Sequence, residues 1–262
     1  MNKLTKVFLG LAGLASLYAL LVLSVGQLSS NVHDRAWQEP LGNLLWEELS
    51  KLYTEVEDST LTATLNDMTQ YIAQANHMEA ESIQVHILRA YEPNAVTLPG
   101  GHIVVFTGLL RLVETPEELA GILAHELAHI RLNHVSEKVI REVGINVLVI
   151  AAGGGSEVGQ VAAALLSNAF SREAEKEADM QAIVFLQTAH IDPQGLATVL
   201  QRFADMEGDY PEALGWLSTH PLSKERVEYV TKEIAKKKGK QNNYGKVPGA
   251  DRWETVRKAV EW

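Results

Sequence analysis

The hydrophobic pattern changes character several times along the chain. Residues 7–28, VFLGLAGLASLYALLVLSVGQL, are almost wholly apolar and carry no charge. A helix of that length, at about 1.5 Å per residue, reaches about 33 Å and covers a bilayer core. From 31 to 78 apolar positions recur at helical spacing, with Trp37, Leu41, Leu44, Leu45, Leu49, Leu52 and Tyr53 as packing residues and a break expected at Pro40. SIQVHILRA (82–90) then alternates between apolar and polar, and the chain turns at Glu92-Pro93-Asn94. After Pro99-Gly100-Gly101 comes HIVVFTG (102–108), β-branched and aromatic, so strands are expected on both sides of these turns.

Helical periodicity returns at Thr115 and dominates to about residue 238. Thr115-Pro116-Glu117-Glu118 supplies a capping hydroxyl, a proline in the first turn and a carboxylate at the third position. Asp192-Pro193 and Tyr210-Pro211 mark turns. GINVLVIAAGGG (144–155) is too short to cross a bilayer and predicts a buried helix followed by a glycine-rich turn. The lysines of EIAKKKGK (233–240), with Gly239 after them, suit a helix C-terminus. Residues 241–262 predict a polar linker and a short helix. No internal repeat is visible. The expected fold is α+β, mainly α-helical, with a small β-sheet and a single domain over 29–240.

Charge orients the N-terminal segment. Lys3 and Lys6 precede the apolar run, and Asp34 is the first charge after it. The positive-inside rule keeps residues 1–6 cytoplasmic and exports the rest. The run is long for a signal peptide, and no A-x-A site lies near 24–30. A single-pass anchor in the cell (inner) membrane is therefore expected, with the folded domain on the periplasmic side. A soluble periplasmic form, made by signal cleavage, is the alternative.

Composition narrows the chemistry. With 23 Lys and Arg against 33 Asp and Glu, the net charge is −10, which offers no footprint for phosphate backbones; nucleic acid is not an expected partner. The absence of cysteine excludes disulfides, thiolate metal sites and cysteine nucleophiles. Any metal must be held by His, Asp or Glu.

Such a set lies in GILAHELAHIRLNH. His125 and His129 stand at i and i+4 on one helix face, where two imidazoles can grip one metal ion. Glu126 sits one step round, placed to take a proton from a metal-activated water without being a ligand. The alternative is an amphipathic helix with two satisfied histidines. A metzincin would need glycine at 132 and histidine at 135; Leu132 and Val135 exclude it, and His134 is left to support the site or lie at the surface. The third ligand should then be a carboxylate from SREAEKEADMQA (171–182). Ala174, Ala178 and Ala182 mark its buried stripe, Glu175 and Asp179 flank that stripe, and Glu173 and Glu177 face away. An aspartate one turn from a ligand glutamate can accept the free N–H of a ligating histidine.

HELAH followed by SREAEKEAD resembles the HExxH and SRxxExxAD motifs of the HtpX-like and CAAX-prenyl-endopeptidase-like zinc metallopeptidases, a gluzincin group. PNAVTLPGGHIVVFTGLL (93–110) is similar to that group's upstream stretch, and THPLSKER (219–226) to its HPxxxxR motif. The resemblance covers about residues 80–230. It implies one zinc per chain held by His125, His129 and Glu175, with Glu126 as general base and Asp179 supporting a ligand. It also implies an endopeptidase acting on extended or misfolded exported polypeptides in protein quality control. A self-inhibited holdase or assembly factor with the same fold is the alternative. The many-span members differ from this chain, which is more similar to single-span or periplasmic ones, so a prenylated substrate is not expected.

The strand after the PGG turn is expected to be an edge that binds an extended peptide through its main chain, with Gly100, Gly101 and Ile103 as contacts. Asn94 supports the turn or touches the peptide. His102 is expected at the surface and Arg172 in a structural ion pair. His220, presented from a loop before Pro221, either stabilises the oxyanion, caps the zinc as an inhibitory fourth ligand, or is a plain loop residue. Arg226 pairs with a site carboxylate or orders the loop.

Overall fold

A computed structural model describes residues 35–143, 158–207, 215–221, 224–237 and 243–261. The elements run α1 (Arg35–Leu52), β1 (Thr54–Glu55), α2 (Ser59–Ala75), β2 (Gln84–Arg89), β3 (Ala95–Leu98), β4 (His102–Phe106) and α3 (Thr107–Leu112). There follow α4 (Pro116–Arg131), α5 (His134–Val143), α6 (Val158–Ser167), α7 (Arg172–Thr188), α8 (Gln194–Glu207), α9 (Gly215–Thr219), α10 (Lys224–Lys237) and α11 (Trp253–Ala259). The α+β, mainly helical expectation holds. The anchor at 7–28 and the helix expected at 144–155 lie outside the described residues, within which no helix is long and apolar enough to cross a membrane.

The sheet has the order β1-β2-β4-β3, with β2 and β4 parallel and the other pairs antiparallel. Its pleat divides the core in two. Val85, Ile87, Ala95, Ile103 and Val105 point into the larger cluster, with α2 and α4. Leu88, Val96, Leu98, Val104 and Phe106 point into the smaller one, with α1 and α6. β4 is therefore buried on both faces, which is why HIVVF is a continuous apolar run and not an alternating one.

This corrects the edge-strand expectation. The strand after the PGG turn is interior, and the edge beside α4 is β3, four residues between two turns. Ile103 is fully buried on the interior strand. His102, expected at the surface, is 1% exposed and lies 2.9 Å from His86 through its Nδ1.

Two further expectations change. Residues 31–78 are not continuously helical, because β1 intervenes and Asp58 starts α2 anew, accepting from the Leu61 N–H at 2.9 Å. Pro40 does not break α1; the helix runs through it from Arg35 to Leu52, held by the packing of Trp37, Leu41 and Leu45 in the smaller cluster.

The PGG turn is seated tightly against α1. Gly100 and Gly101 have φ of 77° and 92°, and a Cβ on Gly100 would stand 2.8 Å from Glu39 Cα. At the other end of the chain, α11 joins the larger core through Trp253 and Val256. Trp253 Nε1 donates to Glu114 O at 2.9 Å, so the C-terminal helix holds the segment that launches α4. That launch is capped as expected: Thr115 accepts from the Glu118 N–H at 3.2 Å, and Glu118 returns to accept from the Glu114 N–H at 2.8 Å.

Candidate metal centre and active site

α4 and α7 lie against each other in the larger core, where Ala124, Ala128, Ala178 and Ala182 leave room for close approach. The packing turns His125, Glu126 and His129 toward Glu175 and Asp179, all at most 2% exposed. Glu173 is exposed and Glu177 keeps 67% of its side chain in solvent, the phase that the alanine stripe requires.

The donor atoms converge. His125 Nε2 and His129 Nε2 are 3.0 Å apart, and they lie 3.6 and 3.4 Å from the two carboxylate oxygens of Glu175. His220 joins them: one ligand atom from each of the four residues falls within 4.8 Å of the others. A tetrahedral zinc site with nitrogen ligands at about 2.0–2.1 Å has its donors about 3.3 Å apart, so the set fits. Oε1 of Glu175, Oε1 of Glu126 and Nε2 of His220 are buried with no hydrogen-bond partner, while Oε2 of Glu175 meets Arg226 in an ion pair. Three orphaned acceptor-capable atoms around one point are what a cation would satisfy.

Electrostatics prepare the site. Burial lowers the pKa of His125, His129 and His220, which keeps the imidazoles neutral with lone pairs available. Burial pushes Glu126 up to about 8, against the opposing hydrogen bond from Thr97. Burial also raises Glu175, with Arg226 working against it. Asp179 goes the other way: burial would raise it, but the Arg226 charge and the His125 contact outweigh that and hold it well below the usual carboxylate range.

Arg226 is the counter-charge of the centre. It pairs with Asp179 through Nε at 2.6 Å and Nη2 at 2.9 Å, and with Glu175 through Nη1 at 2.5 Å. Asp179 also accepts from Tyr229 Oη at 2.8 Å and lies 3.0 Å from His125 Nδ1, at hydrogen-bonding distance though poorly aligned. On the other histidine of α4, His134 Nδ1 lies 3.0 Å from His129 Nδ1, and His134 Nε2 meets Glu177 Oε2 at 3.3 Å. His134, buried at 6% exposure, thus fixes the second nitrogen of His129.

Thr97 on the edge strand donates to Glu126 Oε2 at 2.8 Å. His220 is not presented from a loop: its N–H donates to Trp216 O at 2.8 Å, closing the last turn of α9. It is fully buried and stacks on Trp216, centroids 4.7 Å apart, which in turn stacks on Phe203 at 4.6 Å. A solvent-exposed loop histidine does not fit that placement.

A model of one family, Peptidase family M48, matches residues 59–234. The chain belongs to peptidase family M48. M48 metallopeptidases use zinc, and the donor set above fits that ion. Over 152 residues the chain is 35% identical to the mitochondrial metalloendopeptidase OMA1 of Schizosaccharomyces pombe, an alignment covering 56% of this chain and 45% of that one. It is 28% identical over 167 residues to metalloprotease LoiP of Escherichia coli K12 (60% of this chain, 65% of LoiP). With the β-barrel assembly-enhancing protease of Yersinia pestis it shares 28% over 190 residues (66% and 38%). The chain spans about a third to two thirds of the length of these relatives.

Of the residues singled out in this M48 sequence, His125, Glu126, His129, Glu175, Asp179, His220 and Arg226 come together. Gly100 and Gly101 lie at the rim, where a narrow crevice lined by Thr97, Leu98 and Asn133 leads to His129. Ile103 does not reach the site. Asn94 is buried beside α9, where Trp216 N–H donates to Pro93 O at 2.8 Å. Thr97, Tyr229, Trp216 and Phe170 escaped the sequence analysis. Thr97 had one signal, a lone hydroxyl in the apolar stretch AVTL; Tyr229 had its i+3 spacing from Arg226.

Proposed function

We propose that this M48 chain is a zinc-dependent endopeptidase hydrolysing peptide bonds of extended or misfolded polypeptides in an exported compartment. The observation that carries the reading is the buried meeting of His125, His129 and Glu175 with Glu126 beside them, one of its oxygens on Thr97 and the other 3.5 Å from His220 Nε2. In this reading the two histidines and Glu175 hold the zinc. Bound there, the ion supplies Lewis acidity and an acidified water. Glu126 takes the proton of the attacking water and delivers it to the leaving amine. Thr97 holds Oε2 of Glu126, so Oε1, beside His220, faces the reaction. Arg226 and Tyr229 keep Asp179 ionised and placed against His125. The edge strand β3, not the interior strand with Ile103, aligns the peptide by main-chain hydrogen bonds, and the Gly100-Gly101 turn shapes the end of that cleft. The test is incubation with an unstructured protein, with and without a zinc chelator. Zinc-dependent internal cleavages support the reading; none under any metal condition, including in a His220→Ala variant, would refute it.

A second observation favours a self-restrained enzyme, or a holdase that cleaves rarely. Thr219 Oγ1 lies within hydrogen-bonding reach of both Trp216 O, at 3.2 Å, and His220 Nδ1, at 2.9 Å, which holds the imidazole in place. His220 Nε2 then points at the metal donors and lies 3.5 Å from Glu126 Oε1. The same α9 segment covers β3, whose four residues are all buried. Substrate entry in this reading requires α9 to move. His220→Ala should raise activity with zinc retained if the residue is a latch, and lower it about 10²–10³-fold if it stabilises the oxyanion.

The exported location rests on Lys3, Lys6 and the apolar run at 7–28. Protease added to spheroplasts should degrade the domain while a cytoplasmic marker survives; protection of the domain would overturn the topology.

A further inference from the structure

α5 touches the metal centre through His134, and reaches it a second time through an intermediary. One turn on, Lys138 is 1% exposed. Its ammonium donates to Asn168 O at 2.5 Å and Leu165 O at 3.4 Å, carbonyls at and just beyond the C-terminus of α6. It also lies 4.4 Å from the centroid of the Phe170 ring. Phe170, 7% exposed, stacks on His129 with centroids 4.1 Å apart and planes 22° from parallel. The Phe170 N–H donates to Thr219 O at 2.9 Å, which ties this turn to the His220 segment.

Burying an ammonium forfeits its hydration, and a neutral side chain would fill the same space at lower cost. Carbonyl dipoles at a helix C-terminus and the negative face of an aromatic ring replace water as its partners. Both groups belong to the turn that carries Phe170, so the charge fixes that ring. The ring in turn limits rotation of His129 about its Cβ–Cγ bond, while His134 fixes the imidazole within its plane.

We propose that Lys138, acting through Phe170, is a positioning residue for His129, and that zinc affinity depends on this ammonium. The proposal rests on the zinc reading of the centre. Preset orientation of a ligand removes an ordering cost from metal binding, and loss of such outer support typically weakens affinity 10–100-fold.

The experiment measures zinc dissociation constants of the full chain by competition with a chromogenic chelator. The variants are Lys138→Met, Lys138→Arg, Phe170→Leu and the Met–Leu double, with thermal melts of the metal-free proteins to establish folding. Lys138→Met and Phe170→Leu should each weaken zinc binding about tenfold or more. The double variant should be no weaker than the weaker single, because both act through one ring. Lys138→Arg should recover most of the affinity, and Lys236→Met, at an exposed position, should change nothing. A folded Lys138→Met within twofold of wild type overturns the proposal. Should that variant not fold, Phe170→Leu at wild-type affinity overturns it equally. A wild-type chain that binds no zinc would overturn the zinc reading itself, and the proposal with it.

Discussion

Arg226 neutralises two buried carboxylates, and its removal should be the most destabilising single change in the centre. It is 2% exposed, and it pairs with Asp179 at 2.6 Å and Glu175 at 2.5 Å. Arg226→Met keeps much of the volume and deletes the charge. Asp179 would retain the Tyr229 hydroxyl, but Glu175 has no hydrogen bond to take the place of the Arg226 pair. Breaking a buried pair costs about 3–5 kcal/mol, because the remaining charge is left uncompensated. The upper end applies here, since two carboxylates lose one cation. Zinc must be absent from the measurement, as a cation on Glu175 would mask the loss. Urea unfolding of the metal-free protein at pH 7, followed by circular dichroism, gives the difference from the midpoint shift. Arg226→Lys should cost less, since it keeps the charge but not the fork. An Arg226→Met variant within about 1 kcal/mol of wild type would show that Arg226 does not neutralise the two carboxylates.

Three further changes test the donor set, the pH dependence and the Thr97–Glu126 contact. Glu175→Ala should abolish stoichiometric zinc by metal analysis, whereas Glu173→Ala and Glu177→Ala should keep it; a requirement for either of the latter would show the helix phase to be wrong. His86 is pushed down to about 4 by burial, aided by His102. The unfolded chain, with a histidine pKa of about 6.5, then binds more protons than the folded one between those values, so stability rises with pH across that window and is lost as pH falls through it. The contribution reaches about 3 kcal/mol by pH 4, and His86→Leu should flatten the pH 4–6.5 slope of urea midpoints by up to about 1.4 kcal/mol per pH unit. Thr97→Val should lower kcat at least about tenfold with zinc retained, the worth of a hydrogen bond to a charged group, and Thr97→Ser should restore it; an unchanged kcat in Thr97→Val would remove Thr97 from the mechanism.

The helix-borne part of the site was legible because its geometry is local. Spacing i, i+4 places His125 and His129 on one face, and the alanine stripe of α7 separates Glu175 and Asp179 from Glu173 and Glu177. Contacts between distant elements were not legible. Nothing in the chain near Thr97 shows that it meets Glu126, and Lys138 and Phe170 are brought together only by the α6–α7 turn. Some signals were present and outweighed. HIVVF, apolar at nearly every position, already has the pattern of a strand covered on both faces; its place after a turn suggested an edge. Pro40 suggested a break, but a proline removes one helical hydrogen bond, and the core contacts of Trp37, Leu41 and Leu45 on either side of it hold the helix together.

The measurement that bears most directly on the central reading is zinc content and peptidase rate on the same preparations of Glu126→Gln and its parent. It should be made in both the wild-type and His220→Ala backgrounds, so that a closed site cannot hide activity. About one zinc per chain is expected in every form, with the rate falling at least about 10²-fold on Glu126→Gln wherever the parent cleaves. A Glu126→Gln protein that holds zinc and cleaves at the parent rate would contradict that reading.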